Sequence, residues 1–355
     1  MKTSISFSPF SILLACALLL LISLPAGALA PRDAADGGNA ERADSAMLRS
    51  LDELRAKAQA GDARALFNLA EVTATGYGPV QKDSAEALRL YRLSADKGYA
   101  PAQNYMGFLC YSPTSPTRDP QLALQWIEKA AQQGDPKAFN NMGWLLLEGE
   151  GVEHDPKKAA YWFGRAAEAG LPVAMAQLGD LYRQGKGVEC DTIRARNLYD
   201  SAIAGGLADA QYKLLSMMYP RYREMSPEER VDLGRYYLSM NAPMVAVTLF
   251  ELSAAQDNAE ALALMGNAYS RGEGVPYSHL RSLEYYLRAA RMGNAPAQFV
   301  VGELLELFPD SLKDLDPSFT AGMTPEQFTG SYWREAAASQ GVDSAEAATA
   351  RLLGF

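Results

Sequence analysis

One phrase recurs four times at one place in a repeating frame: Gly76-Tyr77-Gly78, Gly149-Glu150-Gly151, Gly185-Lys186-Gly187 and Gly272-Glu273-Gly274. Each begins eleven residues after an alanine, at Ala65, Ala138, Ala174 and Ala261. A single Gly-x-Gly carries little information. Four at one offset make the chain an array, and a period of roughly 20–50 residues is the signature of a solenoid. That architecture points to binding rather than catalysis.

The alanines opening successive units are Ala65, Ala102, Ala138, Ala174, Ala210, Ala261, Ala297 and Ala345, with steps of 37, 36, 36, 36, 51, 36 and 48. The two long steps read as one period plus an insertion, near 220–240 and 309–327. Four residues after the alanine stands an apolar residue (Leu69, Met106, Met142, Leu178, Leu214, Met265, Val301). The next residue is small in all but one unit (Ala70, Gly107, Gly143, Gly179, Gly266, Gly302), and Leu215 is the exception. Glycine inside a helix costs about 1 kcal/mol relative to alanine, so its recurrence predicts a helix packed too closely for a side chain. Offsets 0, 4 and 7 share one helical face.

The glycine loop ends this helix, because glycine tolerates positive φ. A second helix follows, with Ala159, Trp162, Ala166 and Ala167 closed by Gly170. The same frame gives Ala123, Trp126, Ala130, Ala131 and Gly134, and later Trp333, Ala337, Ala338 and Gly341. Each unit is predicted as a helix hairpin that cannot bury its apolar face alone. Ser226-Pro227-Glu228-Glu229 and Thr324-Pro325-Glu326-Gln327 carry the signals of helix starts, with 309–323 between units read as loop. The expected fold is all-α: a right-handed superhelical solenoid of about seven helix-hairpin repeats of ~36 residues over 62–355. Residues 44–61 are expected as an N-terminal capping helix, 342–353 as a closing helix, and 29–43 as a disordered linker.

Residues 1–28 read as a cleaved signal peptide. Lys2 precedes a 13-residue apolar run, Ile12 to Leu24, followed by Ala26, Ala28 and Ala30. The run is shorter than the roughly 20 residues of a membrane span, so the mature chain is expected to be periplasmic or secreted, without a transmembrane segment. Leu13-Leu14-Ala15-Cys16 resembles a lipobox, but the apolar run continues past Cys16 to Leu24, which argues against lipoprotein anchoring there. Losing Lys2 takes the formal net charge from −9 to −10. An acidic surface disfavours nucleic acid, whose phosphates need basic contacts.

These motifs resemble the Sel-one-like repeat (SLR) family, a branch of the tetratricopeptide superfamily. The fourth unit matches its phrase at Ala174, Leu178, Gly179, Tyr182, Gly185, Gly187, Val188, Asp191 and Gly206. The third matches at Ala138, Gly143, Gly149, Gly151, Val152, Asp155, Trp162, Ala166, Ala167 and Gly170. The resemblance spans 62–355. The second unit departs from it, with Ser112-Pro113-Thr114-Ser115-Pro116 replacing the glycine loop. It implies a superhelix and a non-enzymatic adaptor or scaffold for other proteins. Exported bacterial members are linked to signalling, envelope assembly and host contact.

In tetratricopeptide-like solenoids the outward face of the first helices lines a concave groove. Here that face is built by offsets two, three and six. It reads Phe67, Asn68 and Glu71, then Asn104, Tyr105 and Phe108, then Asn140, Asn141 and Trp144, with Tyr212 and Lys213 further on. Exposed aromatics are enriched at interfaces, and Asn can bond both the N–H and the C=O of an extended peptide. Phe67, Asn68, Asn104, Tyr105, Phe108, Asn140, Asn141, Trp144, Tyr212 and Lys213 are therefore the candidate groove for an unidentified protein or peptide. Simple packing between repeats is the competing account of the same residues. A further alternative is an architectural envelope subunit using the convex face and the insertions.

Other chemistry is sparse. Ser94-Ala95-Asp96-Lys97 fits Ser-x-x-Lys and opens an alternative reading as a penicillin-binding, β-lactam-hydrolysing or cell-wall enzyme. No Lys-Thr-Gly accompanies it, and Lys97 beside Gly98 is explained by a helix end. His154 and His279 occupy different loops without ligand spacing, and are read as solvated. Cys110 fills the slot of Tyr182 and Tyr269 and is expected in the core, whereas Cys190 is expected in a loop. No cofactor, metal or catalytic residue is assigned, and a monomer is expected.

Overall fold

The computed structural model describes residues 49–76, 80–112, 115, 118–149 and 151–353. The expected signal peptide, Cys16 and the linker to 43 lie outside them, as does 44–48 of the capping helix. Among the described residues there is no strand. The chain divides into two compact units, one ending at Ala210 and one beginning at Gln211.

In the N-terminal unit a helical segment, 49–59, precedes four hairpins. They are α1 (Ala63–Thr75) with α2 (Ser84–Asp96), α3 (Ala100–Tyr111) with α4 (Pro120–Gln132), α5 (Pro136–Glu148) with α6 (Pro156–Glu168), and α7 (Pro172–Gln184) with α8 (Thr192–Ala204). The second helices start on aspartates 36 residues apart. Asp83, Asp119, Asp155 and Asp191 each accept hydrogen bonds from first-turn backbone N–H groups. Such caps satisfy donors that have no partner within the helix. One continuous core runs from Ala58 to Leu181.

The recurring glycine of the first helix has the packing cause that the sequence requires. A Cβ on Gly143 would lie 2.7 Å from the Phe163 ring, and one on Gly179 would lie 2.8 Å from the Tyr199 ring. Gly107 faces Ile127 and Gly266 faces Tyr286 in the same way. In all four the partner lies twenty residues after the glycine, on the second helix of the same hairpin. Trp162, the residue singled out by the sequence, is only half-buried, and its neighbour Phe163 fills the core slot.

The loop glycines divide their work. Gly185 ends α7 at φ +65°, donating its N–H to the Leu181 carbonyl. Gly187 sits so close to the preceding hairpin that a Cβ would lie 2.2 Å from the Pro156 carbonyl oxygen. The first glycine therefore closes a helix, and the second seats one repeat on another.

The C-terminal unit departs from the predicted frame. Ala210 opens α9 (Asp209–Glu224), a helix containing Pro220. The stretch near 220–240 is not an insertion between two helices of one unit. It contains α10 (Pro227–Ser239), the first helix of a hairpin with α11 (Pro243–Ala254). Leu233-Gly234 is this hairpin's Leu-Gly, with a Gly234 Cβ 2.3 Å from Phe250. Here the glycine-to-aromatic separation shrinks to sixteen residues, because a short turn through Asn241 (φ 56°) replaces the glycine loop. Asn and Asp tolerate this left-handed region best after glycine, and Asp257 (φ 55°) closes α11 likewise. Arg230 is buried and welds α9 to this hairpin. Its guanidinium donates to the carbonyls of Tyr222 (2.7 Å), Arg223 (2.9 Å) and Leu252 (3.0 Å).

Two more hairpins follow, α12 (Ala259–Arg271) with α13 (His279–Arg291), and α14 (Ala295–Leu307) with α15 (Gly330–Ala338). The 309–323 stretch, expected as loop, contains a 3-10 turn at Ser311–Asp314 and a helical turn at Pro317–Thr320. Thr324 forms the expected capping box with Gln327, but on a 3-10 turn, Pro325–Phe328, rather than on the last hairpin helix. Finally α16 (Ala345–Leu353) forms the closing helix. Ala345 does not open another stacked hairpin: α16 packs chiefly on α14 and reaches α12.

Two glycines test the packing argument against each other. Gly143→Ala is expected to cost about 1–3 kcal/mol through overpacking against Phe163. Gly164, in the interior of α6, has open space where a Cβ would go. Gly164→Ala should stabilise by about 0.5–1 kcal/mol. Urea unfolding of both variants checks the pair, and destabilisation of similar size in both would refute the packing cause.

Candidate functional site

In the N-terminal unit the candidate residues project from α1, α3 and α5, and the structure sorts them into three groups. The aromatics Phe67, Tyr105 and Trp144 are half-buried. Phe67 meets Tyr91 and Tyr99 edge-on, each with ring centroids 5.4 Å apart. Tyr105 lies 4.1 Å from Tyr91, and Trp144 is edge-on to Phe163 at 5.8 Å. Tyr91 therefore links Phe67 to Tyr105 in one aromatic row across two hairpins. For these three, packing between helices accounts for much of the side chain.

The polar members behave differently. Asn141 Nδ2 donates to Asn104 Oδ1 at 2.8 Å, tying α5 to α3. Asn104 is buried by this contact. Asn140 Oδ1 is buried with no hydrogen-bond partner, an arrangement that costs about 1–3 kcal/mol. Asn68 is exposed. Phe108 is 50% exposed, an outlay of apolar surface that nothing in the unit recovers. Tyr212, which is exposed, and Lys213, half-buried, lie on α9 in the C-terminal unit and are not part of this cluster.

At offset six the face is wired to the second helices. Tyr91 Oη donates to Glu71 Oε1 at 2.5 Å, and Tyr199 Oη donates to Asp180 Oδ1 at 2.8 Å. Burial, and next the facing carboxylate, pushes both phenols well above their ordinary range. Burial and then Glu71 also raise Tyr105. These hydroxyls stay protonated and act as donors, not as bases.

Sequence reasoning missed the tyrosines beneath the face. Tyr91 and Tyr199 sit in the second-helix slot that packs on the first helix, the slot of Phe163 and Tyr286. For Tyr199 the spacing of twenty from Gly179 was the available signal, and both tyrosines lie eight residues after a capping aspartate, Asp83 or Asp191. Also missed was the glutamine following the opening alanine. Gln103 and Gln298 donate to the carbonyls of Ala95 and Ala290, each bridging back to the preceding second helix.

The remaining candidates resolve into structural roles. Ser94 is fully buried, and its Oγ donates to the Ala63 carbonyl at 2.6 Å. It occupies the slot of Ala130 and Ala166, and Lys97 is the C-cap of α2. His154 is exposed as expected, but His279 is half-buried, not solvated, and burial lowers its pKa despite Asp314 nearby. Cys110 is buried, which pushes its thiol up, while Cys190 is exposed. Among the described residues no cluster of three His, Cys, Asp or Glu could hold a metal. No described helix is long and apolar enough to cross a membrane.

The hairpins, their glycine seats and the wired first-helix face define a helical-repeat protein of the tetratricopeptide-like class. The Sel1 repeat matches residues 63–99, 100–135, 136–171, 172–207 and 259–294, just over half of the chain, and the protein belongs to that family. Proteins of this family are generally protein-interaction scaffolds. The hairpin of α10 and α11 falls outside the matched segments, which agrees with its shortened turn. No curated protein is similar enough in sequence to match. Among solved structures, the chain is similar to a protective antigen of uropathogenic Escherichia coli displaying an SLR fold. Identity is 26%, with 85% of this chain and 73% of that one covered, at a TM-score of 0.45. It is also similar to a Sel1 repeat protein from Oxalobacter formigenes, at 24% identity with 79% and 89% covered and a TM-score of 0.37. An immunity protein from Pseudomonas aeruginosa matches at 20% identity, with 59% and 83% covered and a TM-score of 0.24.

The Asn104–Asn141 bond gives the face a measurable coupling. A double-mutant cycle with Asn104→Ala and Asn141→Ala should return an interaction of about 0.5–1.5 kcal/mol. Additive losses would mean that the two amides hold their positions independently.

Proposed function

We propose that this chain is a non-enzymatic scaffold that binds a protein or peptide segment along the first-helix face of α1, α3 and α5. The observation that carries the reading is the pairing of exposed Phe108 with an unpartnered acceptor on the same face, Asn140 Oδ1. A partner segment would cover the first, and a turn of the Asn140 side chain would bring its amide to the segment's main chain. The Phe67–Tyr91–Tyr105 row gives that segment a wall held by packing, which lowers the cost of ordering the site. Asn68 offers a further amide for main-chain bonding. Tyr212 and Lys213 would extend the same function on the other unit. The apolar run and the small residues before residue 30 support export to the periplasm or beyond, with residues 1–28 as the leader, 29–43 as a linker and the repeats as a monomeric body.

The test is a pull-down from a bacterial envelope extract with the mature chain, beside an Asn68→Ala, Phe108→Ala variant. A protein retained by the first and lost by the second is the expected result. Equal retention by both would remove this face as the site and favour an architectural role through other surfaces. Far-UV circular dichroism of the variant guards against simple unfolding.

A further inference from the structure

The first-helix face of the C-terminal unit is occupied. Its occupant is α16, which comes from the same chain. The residues at offsets two and three of α14 are Phe299 and Val300, the counterparts of Phe67 and Asn68. Both line, with Leu304, the cavity beside α16, and Phe299 packs in one buried cluster with Ala348. On α12 the counterpart of Phe108 and Trp144 is Asn267, which lines it too. On α10 the same offset holds Arg235, whose Nη2 donates to the Leu352 carbonyl at 2.9 Å. So α16 crosses three successive first helices in reverse order, on the positions that build the candidate face of the other unit.

Three observations separate α16 from a fixed part of the stack. First, it presents a narrow stripe, Ala345, Ala348 and Leu352 at i, i+3 and i+7, of which only Ala348 and Leu352 are fully buried. Second, it leaves a cavity of about 160 Å³ between itself and α12, α13 and α14, lined by Phe299, Leu304, Tyr286 and His279. The cavity opens to solvent along the edge of α16, so the groove extends beyond the surface that α16 covers. Third, Arg235 Nε is buried without a hydrogen-bond partner, although Nη2 meets both Glu260 and the end of α16. A cation at this place suits the C-terminal end of a helix, where carbonyls are unpaired.

We infer that the face formed by α10, α12 and α14 is a helix-binding groove, with α16 as its resident, displaceable occupant. The incoming partner is an amphipathic helix carrying a small residue at its second anchor position and leucine at the third. It enters with its C-terminal end against Arg235. A bulkier apolar side chain at the first anchor would fill the cavity that α16 leaves. This rests on the scaffold reading above but concerns different helices, so either can fail without the other.

The probe is a labelled synthetic peptide of residues 342–353, offered to the full chain and to an Ala348→Asp, Leu352→Asp variant whose own α16 is expelled. Because the resident helix lowers the competent fraction, the variant should bind at least about tenfold more tightly. The same peptide carrying Ala348→Glu should not bind. Equal affinity for both chains, or no binding to a variant whose circular dichroism is otherwise retained, would overturn the inference. Hydrogen exchange on the unsubstituted chain gives a second reading. Amides of 345–353 should exchange by local opening, well before those of α12 and α14. Exchange only with global unfolding would make α16 a permanent part of the fold.

Discussion

The contact on which the architecture depends is a glycine in the first helix pressed against a large side chain of the second. It sets the distance between the two helices of a hairpin. The interior is close-packed, so that distance cannot drift without opening a void or forcing a clash. Everything else in the repeat accommodates it. In the N-terminal unit aspartate caps start each second helix at the same register, and where the glycine loop is present its first glycine turns the chain and its second settles the loop onto the previous hairpin. In the seventh hairpin Gly302 meets Arg334 and the backbone of a second glycine, Gly330. A Cβ on Gly330 would lie 2.5 Å from the Gly302 carbonyl oxygen. The side chains of Arg334 and Glu306 close the space as well, with Cγ atoms 2.6 Å and 2.5 Å from where Cβ atoms on Gly302 and Gly330 would lie.

The same contact explains why the first-helix face is orderly. A second-helix tyrosine in the packing slot passes under the first helix, and its hydroxyl emerges near offset six, where Glu71 or Asp180 receives it. Core packing and surface chemistry are thus properties of one side chain. A substitution at Tyr91 would loosen the hairpin and disturb the aromatic row beneath Phe67 and Tyr105 together. That coupling argues for testing the face with outward residues such as Asn68 and Phe108, whose loss leaves the slot intact.

The frame was legible in the sequence because glycine has few substitutes at a left-handed helix end or at a close helix approach. Wherever those constraints act, residue identity reports geometry. The fifth hairpin escaped because its frame was anchored on Ala210, while Leu233-Gly234 stood unread. Glu229 fills the alanine slot, and Asn241 does the work of a loop glycine. Trp162 reads with Ala159, Ala166 and Ala167 as one apolar face, but it is Phe163 that is fully buried. The slot twenty residues from the glycine is what reports that depth. Side-chain partnerships on the face, such as Asn104 with Asn141, join repeats 37 residues apart and leave no periodic trace.

The course of α16 was out of reach of periodicity for a physical reason. Helical patterning states which stripe of a helix is buried, not against what. Ala345, Ala348 and Leu352 would make the same stripe whether the helix stacked as another repeat or folded back across α14, α12 and α10. What decides between them lies elsewhere: Val300 on α14, where the N-terminal unit has Asn68 and Asn141, and the arginine at offset six of α10. The two units therefore present the same geometric face with opposite chemistry. The N-terminal one is amide-rich and partly exposed, suited to hydrogen bonding an extended segment. The C-terminal one is more apolar at offset three, with a cation at its end, suited to a helix.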